Sequence, residues 1–172
     1  WVEALISQKI EKFACQGKLN KYKPMPNDPL LDIKIMEGHS VNELKRRFIP
    51  CPHHLREHLR EFIESMLAAG LIRHSDAPFS SPVLVVPKPL DAHGNSRGFR
   101  LVTDYRALNK IVEPAQHHIP DVHAMYEKLR NAKYITTLDL KNGYWNAGLT
   151  EDSKRLTAFA TEFGDFEYNV VP

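Results

Sequence analysis

The clearest periodicity in the chain lies between residues 53 and 69. Leu55, Leu59, Phe62, Ile63, Met66 and Leu67 recur at helical spacing and form one apolar stripe. Gly70 stands where a C-terminal cap belongs. Arg56, Glu57, Arg60, Glu61 and Glu64 lie off the stripe, and Arg60 with Glu64 has the spacing of four that supports a helix surface. His54 and His58 are also one turn apart and could hold zinc, but no third ligand is evident and a wet helix face accounts for them. A helix with one apolar face must bury it against a second layer, and the sequence that follows is rich in short β-type runs. This pattern predicts an α+β fold.

After the helix, residues 71–81 read as a short strand and turn through Pro78. Pro82-Val83-Leu84-Val85-Val86 is a β-branched run, and residues 99–105 form a second. The polar stretch between them contains Asp91, Gly94, Asn95 and Ser96, so the pair predicts a β-hairpin with a long tip. Lys88, Arg97 and Arg100 border that tip. By charge alone they read as solvated cations.

Residues 106–110 begin a turn and residues 111–119 form a connector. Pro120 then opens a helix to about residue 131, with Val122, Met125 and Leu129 inward. Residues 155–161 read as a strand, and Gly164-Asp165 as the turn into a partner over residues 166–171. At the other end, residues 2–13 carry helical spacing and residues 18–29 read as a linker. Residues 31–35 alternate like a half-buried strand, and residues 44–52 form a basic, extended connector held open by Pro50 and Pro52.

One further stretch carries chemistry. Tyr134-Ile135-Thr136-Thr137-Leu138 is a β-type run that ends on Asp139, and Leu140-Lys141-Asn142-Gly143-Tyr144 follows. A carboxylate at the end of a buried strand needs a cation, a donor or a proton. A strand end facing water, with Asp139 starting a turn, is the equal alternative from these residues alone.

Composition sets outer bounds. The 172 residues fit one domain or part of a larger one, and 42% hydrophobic with 26% charged residues suffices for a packed core. A net charge of +2 is too mild to establish a nucleic-acid partner. Cys15 and Cys51 make no disulfide framework, which points to a reducing compartment. No apolar run approaches the roughly 18 residues of a membrane span, so no membrane partner is expected. Trp1 in place of Met, and an ending at Val170-Val171-Pro172, both read as excision points.

From Ala69-Gly70-Leu71-Ile72 onward the chain resembles the reverse transcriptases of gypsy-type LTR retrotransposons and, more distantly, of retroviruses. The matching segments are Ser80-Ser81-Pro82-Val83, residues 99–109, Pro120, residues 137–144, residues 149–159 and residues 163–172, in the family's order and spacing. The resemblance implies a right-hand polymerase fold truncated before its Tyr-x-Asp-Asp hairpin. Residues 38–110 would be fingers, 111–172 the start of the palm, and 1–37 a connection from an upstream protease region. It implies primer extension by nucleotidyl transfer from dNTPs on an RNA or DNA template, with two Mg²⁺ ions stabilising the attacking and leaving oxygens. The implied partners are the template-primer, the dNTPs and the rest of a Pol polyprotein: downstream palm, thumb and ribonuclease H. The implied location is the cytoplasmic virus-like particle of the element, or the nucleus.

The resemblance also assigns residues. Asp139 falls on the first catalytic aspartate, and the carbonyl of Leu140 would meet the nucleotide-side metal. Backbone amides of Asn142 and Gly143 would meet the triphosphate, and Tyr144 matches the gate beneath the sugar. Arg100 matches the arginine that grips phosphates. Its lysine partner is Lys88 or, because the tip here is longer, Arg97. Arg106 and Asn109 match residues beside the template strand, although Arg106 could equally pair with a nearby carboxylate. Trp145-Asn146 replaces the family's usual His-Gln. With one of three expected carboxylates the piece alone should be inactive. The alternative reading is a non-catalytic remnant kept as a nucleic-acid-binding or protein-interaction module.

Overall fold

The computed structural model describes Tyr22 and residues 29–90, 93–96, 98–114, 121–137 and 143–172. The helix expected over residues 2–13 lies outside the described residues, as does most of the expected linker. Among the described residues, no helix is long and apolar enough to cross a membrane.

Helix α1 spans Arg56–Ala68 after a 3₁₀ turn at His53–Leu55. Leu59, Ile63 and Met66 are buried as the stripe requires. The helix ends in a Schellman cap: Gly70 adopts φ 71°, its N–H donates to the Leu67 carbonyl at 3.0 Å, and the Leu71 N–H donates to the Met66 carbonyl at 2.9 Å. Arg60 pairs with Glu57 at 2.7 Å instead of the expected Glu64. Helical side chains lean toward the N-terminus, so Arg60 reaches the preceding turn more readily than the next.

Five strands form one mixed sheet in the order β1-β5-β4-β2-β3. They are β1 Ile72–His74, β2 Ser81–Pro87, β3 Phe99–Thr103, β4 Phe159–Thr161 and β5 Gly164–Tyr168. The β2–β3 hairpin is antiparallel, with Val83 opposite Thr103 and Pro87 opposite Phe99. β2 meets β4 in parallel, with Ser81 opposite Phe159 and Pro82 opposite Ala160, while β4 pairs antiparallel with β5 and β5 with β1. The turn into β5 is Glu162-Phe163, two residues earlier than the expected Gly164-Asp165, because Thr161 lies opposite Gly164.

Of the strand expected over residues 155–161 only residues 159–161 form, and residues 155–156 end a helix. Helix α3 occupies Glu151–Leu156, and β4 begins only at Phe159. Thr150 caps α3 by accepting from the Ser153 N–H, with Glu151 and Asp152 in the first turn and Lys154 and Arg155 in the last. That arrangement satisfies orphan donors and complements the helix dipole, which outweighs the weak alternation that suggested a strand.

One cluster buries Leu59, Ile63 and Met66 of α1 with Leu71, Ile72, Val83, Leu149, Phe159, Phe166, Tyr168 and Val170. A second gathers Phe79, Leu108, Ile111, Leu156 and Ala158. Ile33 packs against both. Residues 31–35 do not form the expected continuous strand; they pair at two bridges, Leu31 with Leu149 and Ile35 with Val112. The Thr150 N–H donates to Leu31 O (3.1 Å), Ile33 N–H to Ser153 Oγ (2.7 Å), and the Glu113 N–H to Lys34 O (2.8 Å). Asp32 Oδ1 accepts from the hydroxyls of Thr150 and Ser153. This segment therefore straps the start of α3 to residues 111–113.

Helix α2, Val122–Leu129, is capped by the Asp121 carboxylate, which accepts from the His123 N–H at 2.9 Å. Its apolar residues are not inward as expected: Val122, Met125 and Leu129 are 54%, 52% and 49% exposed. Residues 134–137 are not a strand, and Tyr134 is 94% exposed. The physical reason is shared. Among the described residues no strand pairs with residues 134–137 and no cluster covers α2, and a β-type run without ladder partners has no reason to extend.

Phe159→Ala should destabilise this chain by about 3–5 kcal/mol in urea unfolding, as for a fully buried aromatic. Tyr134→Ala should stay within about 0.5 kcal/mol. Equal effects of the two would contradict this assignment of the core.

Candidate functional site

Within the β2–β3 hairpin, side chains of directly opposed residues share a face, and so do residues two apart on one strand. Val86 lies opposite Arg100, and the Lys88 N–H donates to the Gly98 carbonyl at 2.8 Å, extending the same register by one rung. Lys88 and Arg100 therefore stand side by side on one face of the hairpin, both exposed. Leu84 and Val102 are on that face too, 41% and 36% exposed. The result is two cations next to an apolar pad, which suits a ligand carrying both phosphate and a flat apolar part. Arg97, the alternative to Lys88, lies outside the described residues.

Arg106 sits past the other end of β3. Asp104 accepts from its Nε at 2.8 Å and from its terminal nitrogen at 2.7 Å, so the fork is engaged within the protein. The Arg106 guanidinium lowers the Asp104 carboxyl to about 2, chiefly through the side-chain hydrogen bond and then through the Arg106 backbone N–H. The pair borders a cleft of about 580 Å³ that also receives His39, Glu43, Arg47 and Lys110. Glu43 is occupied: its carboxylate accepts from the Ser40 N–H in a capping box and lies 3.1 Å from His39 Nδ1. Arg47 and Lys110 add cations that sequence reasoning did not connect with Arg106. The basic run at residues 45–47 was visible, but its approach to residue 106 depends on the bridge between Arg46 and Ser80. Asn109 is exposed, its N–H bonded to the Tyr105 carbonyl at 2.8 Å.

Gly143 and Tyr144 lie in a 3₁₀ turn, Gly143–Asn146, with Tyr144 76% exposed. Asp139, Leu140 and Asn142 lie outside the described residues. Among the described residues, no group of three or more His, Cys, Asp or Glu could hold a metal, and this covers the neighbourhood of His54 and His58.

A second charged cleft, of about 560 Å³, is self-satisfied. Glu167 is buried and accepts from Arg73 Nε and Ser75 Oγ, both at 2.7 Å. Arg73 also meets Glu151 at 2.8 Å, and Arg155 meets Asp76 at 2.9 Å. These ion pairs hold β1, β5 and α3 together and leave neither arginine of the cleft unpaired.

Residues 86–172 match the family model described as "Reverse transcriptase (RNA-dependent DNA polymerase)". The chain is 42% identical over 110 residues to the retrovirus-related Pol polyprotein from transposon 297 of Drosophila melanogaster, covering 64% of this chain and 10% of that protein. It is 37% identical over 123 residues to the polyprotein from transposon opus of the same fly, covering 72% and 12%. It thus spans about a tenth of these two polyproteins. An enzymatic polyprotein of Cestrum yellow leaf curling virus is 32% identical across 99% of this chain, so the similarity reaches well before residue 38. Among solved structures, the native prototype foamy virus protease-reverse transcriptase superposes with a TM-score of 0.72 at 23% identity, covering 99% of this chain and 21% of that one. The foamy viral protease-reverse transcriptase in complex with RNA/DNA hybrid gives 0.71 at 21% identity, with the same coverage. At such identities the likeness shows the fold: these elements are arranged as in the corresponding part of those polymerases.

The Asp104 carboxyl should titrate with a midpoint near 2 in an NMR pH series, and Arg106→Gln should return it toward 3.8. Because the folded value is depressed, the pair's contribution is present above the ordinary carboxylate pKa and is lost as pH falls toward 2. An unchanged midpoint in Arg106→Gln would contradict the pairing.

Proposed function

The chain belongs to the reverse transcriptase (RNA-dependent DNA polymerase) family, and from that premise we propose that it supplies the fingers and early palm of a retrotransposon polymerase. In this reading residues 38–110 are fingers and 111–172 the start of the palm, with residues 1–37 leading in from a preceding region. The reaction is attack of a primer 3′-oxygen on the α-phosphorus of a dNTP, with pyrophosphate leaving, directed by an RNA or DNA template. The observation that carries the proposal is the shared outward face of Lys88 and Arg100 on the hairpin.

Each residue then has a task. The Arg100 fork engages two phosphate oxygens at once, and Lys88 adds a mobile point charge beside it. Backbone N–H groups of Asn142 and Gly143 approach the triphosphate from the other side, as successive amides in a turn can. The ring of Tyr144, exposed and unobstructed, lies beneath the sugar and leaves no room for a 2′-hydroxyl. Arg106 and Asn109 contact the template backbone, positioning the strand without reading its sequence. Asp104 holds Arg106 in place and leaves its remaining N–H groups for phosphate.

Asp139 and the Leu140 carbonyl are hard oxygen donors of the kind Mg²⁺ accepts, so they fit the class of metal that the family uses. When bound, the pair of ions supplies neutralisation of the charge on the attacking and leaving oxygens. Two divalent ions need more protein donors than Asp139 and one carbonyl, so in this reading primer extension draws on carboxylates beyond those assigned here.

In a longer polymerase containing this chain, Asp139→Asn should lower primer extension about a thousandfold or more. Tyr144→Ala should raise ribonucleotide incorporation about tenfold while dNTP incorporation persists. Undiminished extension by Asp139→Asn would sink the catalytic assignment. Tight duplex binding by such an inactive protein would instead favour the non-catalytic alternative.

A further inference from the structure

The hairpin that carries Lys88 and Arg100 projects beyond its sheet. Among the described residues, β2 is tied to β4 only at Ser81 and Pro82, and residues 83–87 and β3 pair with each other and with no further strand. Such an overhang is free to pivot unless something beneath holds it. Alternation along β3 turns Phe99 and Leu101 away from the Arg100 face. Leu101 and its partner Val85 pack against the α1 core cluster, close to where the hairpin leaves the sheet. Phe99 lies one step further out and meets α1 through a single ring contact, with His58 at a centroid distance of 4.8 Å and an interplanar angle of 32°. Around this contact is a mainly apolar groove of about 360 Å³, lined also by Glu61, Phe62, Ser65 and Gly98. Among the described residues, the ring contact supporting the outer part of the hairpin is this one aromatic pair, beside open space.

We propose that Phe99, seated on His58 of α1, is a positioning residue that sets the pitch of the hairpin and thereby the place of Arg100 and Lys88 over the nucleotide. The inference rests on the reading of that face as the triphosphate-binding face. It concerns residues on the opposite face, which touch neither nucleotide nor template. The sequence link is tight, because Phe99 precedes Arg100, and the rung from Lys88 to Gly98 closes the hairpin directly beside it. A tilt at Phe99 moves both cations together.

The test uses the longer polymerase for kinetics and the 172-residue chain for hydrogen exchange. Phe99→Ala and His58→Ala should each raise the dNTP KM about three- to tenfold, the size of one aromatic pair, with kcat and template-primer Kd within about twofold. The double variant should be no worse than Phe99→Ala alone, and Phe99→Trp should restore the KM. In the isolated chain, Phe99→Ala should speed exchange of the Lys88 amide and leave the β4–β5 amides unchanged. A normal KM in both single variants, with a raised KM in Arg100→Ala, overturns the positioning role and leaves the nucleotide assignment standing. A normal KM in Arg100→Ala overturns both. Faster exchange throughout β4 and β5 makes Phe99 a core residue and also overturns the proposal.

Discussion

A strand of three residues holds this molecule together. β4 is central in the sheet, all of Phe159, Ala160 and Thr161 are buried, and Phe159 has no exposed surface. Its ring lies 5.9 Å from Phe166 and 5.1 Å from Tyr168, and α1 closes over the same cluster. On one side β4 carries β5 and, through it, β1; on the other it meets β2 and so carries the hairpin. The chain-distant halves, residues 53–103 and 149–172, meet in the sheet at two places, β1 on β5 and β2 on β4, and only the second lies next to the hairpin. The burial of Phe159 thus positions Arg100 even though they are far apart in sequence.

Polar groups near this core are placed as economically. Thr157, almost fully buried, donates its hydroxyl to the Lys154 carbonyl and accepts from the Tyr168 N–H, so one side chain ends α3 and seats β5. Ser153, with no exposed surface, accepts from the Ile33 N–H and donates to Asp32. Burial of such groups is tolerable because each hydrogen bond is made. The strap over residues 31–36 is therefore a fixed part of the fold, joined by several groups whose removal would leave buried polar atoms unpaired.

How legible this was in the sequence depended on whether the deciding interactions were local. Helix α1, its glycine cap and the β2–β3 hairpin follow from short-range periodicity and turn chemistry, and the structure contains them close to where they were expected. Helix α3 was missed because its signal is a cap, Thr150 with Ser153, within only six helical residues. Residues 31–35 look like a strand, yet their partners lie at Leu149 and Val112, which no local pattern reveals. The inward placement of α2 and the strand at residues 134–137 assumed a covering layer. Periodicity states which face is apolar and not what covers it. At the site, resemblance named Lys88, Arg100 and Arg106. Only the register showed that the first two share a face, and only the folded connector brought Arg47 and Lys110 toward the third.

Arg100 also has a role set by its place in the sheet. β3 is an edge strand, and an edge offers unpaired backbone groups to any other chain that can add a strand. Its sequence, Phe-Arg-Leu-Val-Thr, is otherwise β-prone and apolar enough to recruit one. A cation within that run opposes stacking of a second copy by charge and by hydration. The side chain suited to gripping phosphate is also the one that discourages the hairpin from templating aggregates. Colloidal behaviour and the proposed phosphate binding thus meet at a single residue, and the choice of replacement at position 100 decides which of the two is disturbed.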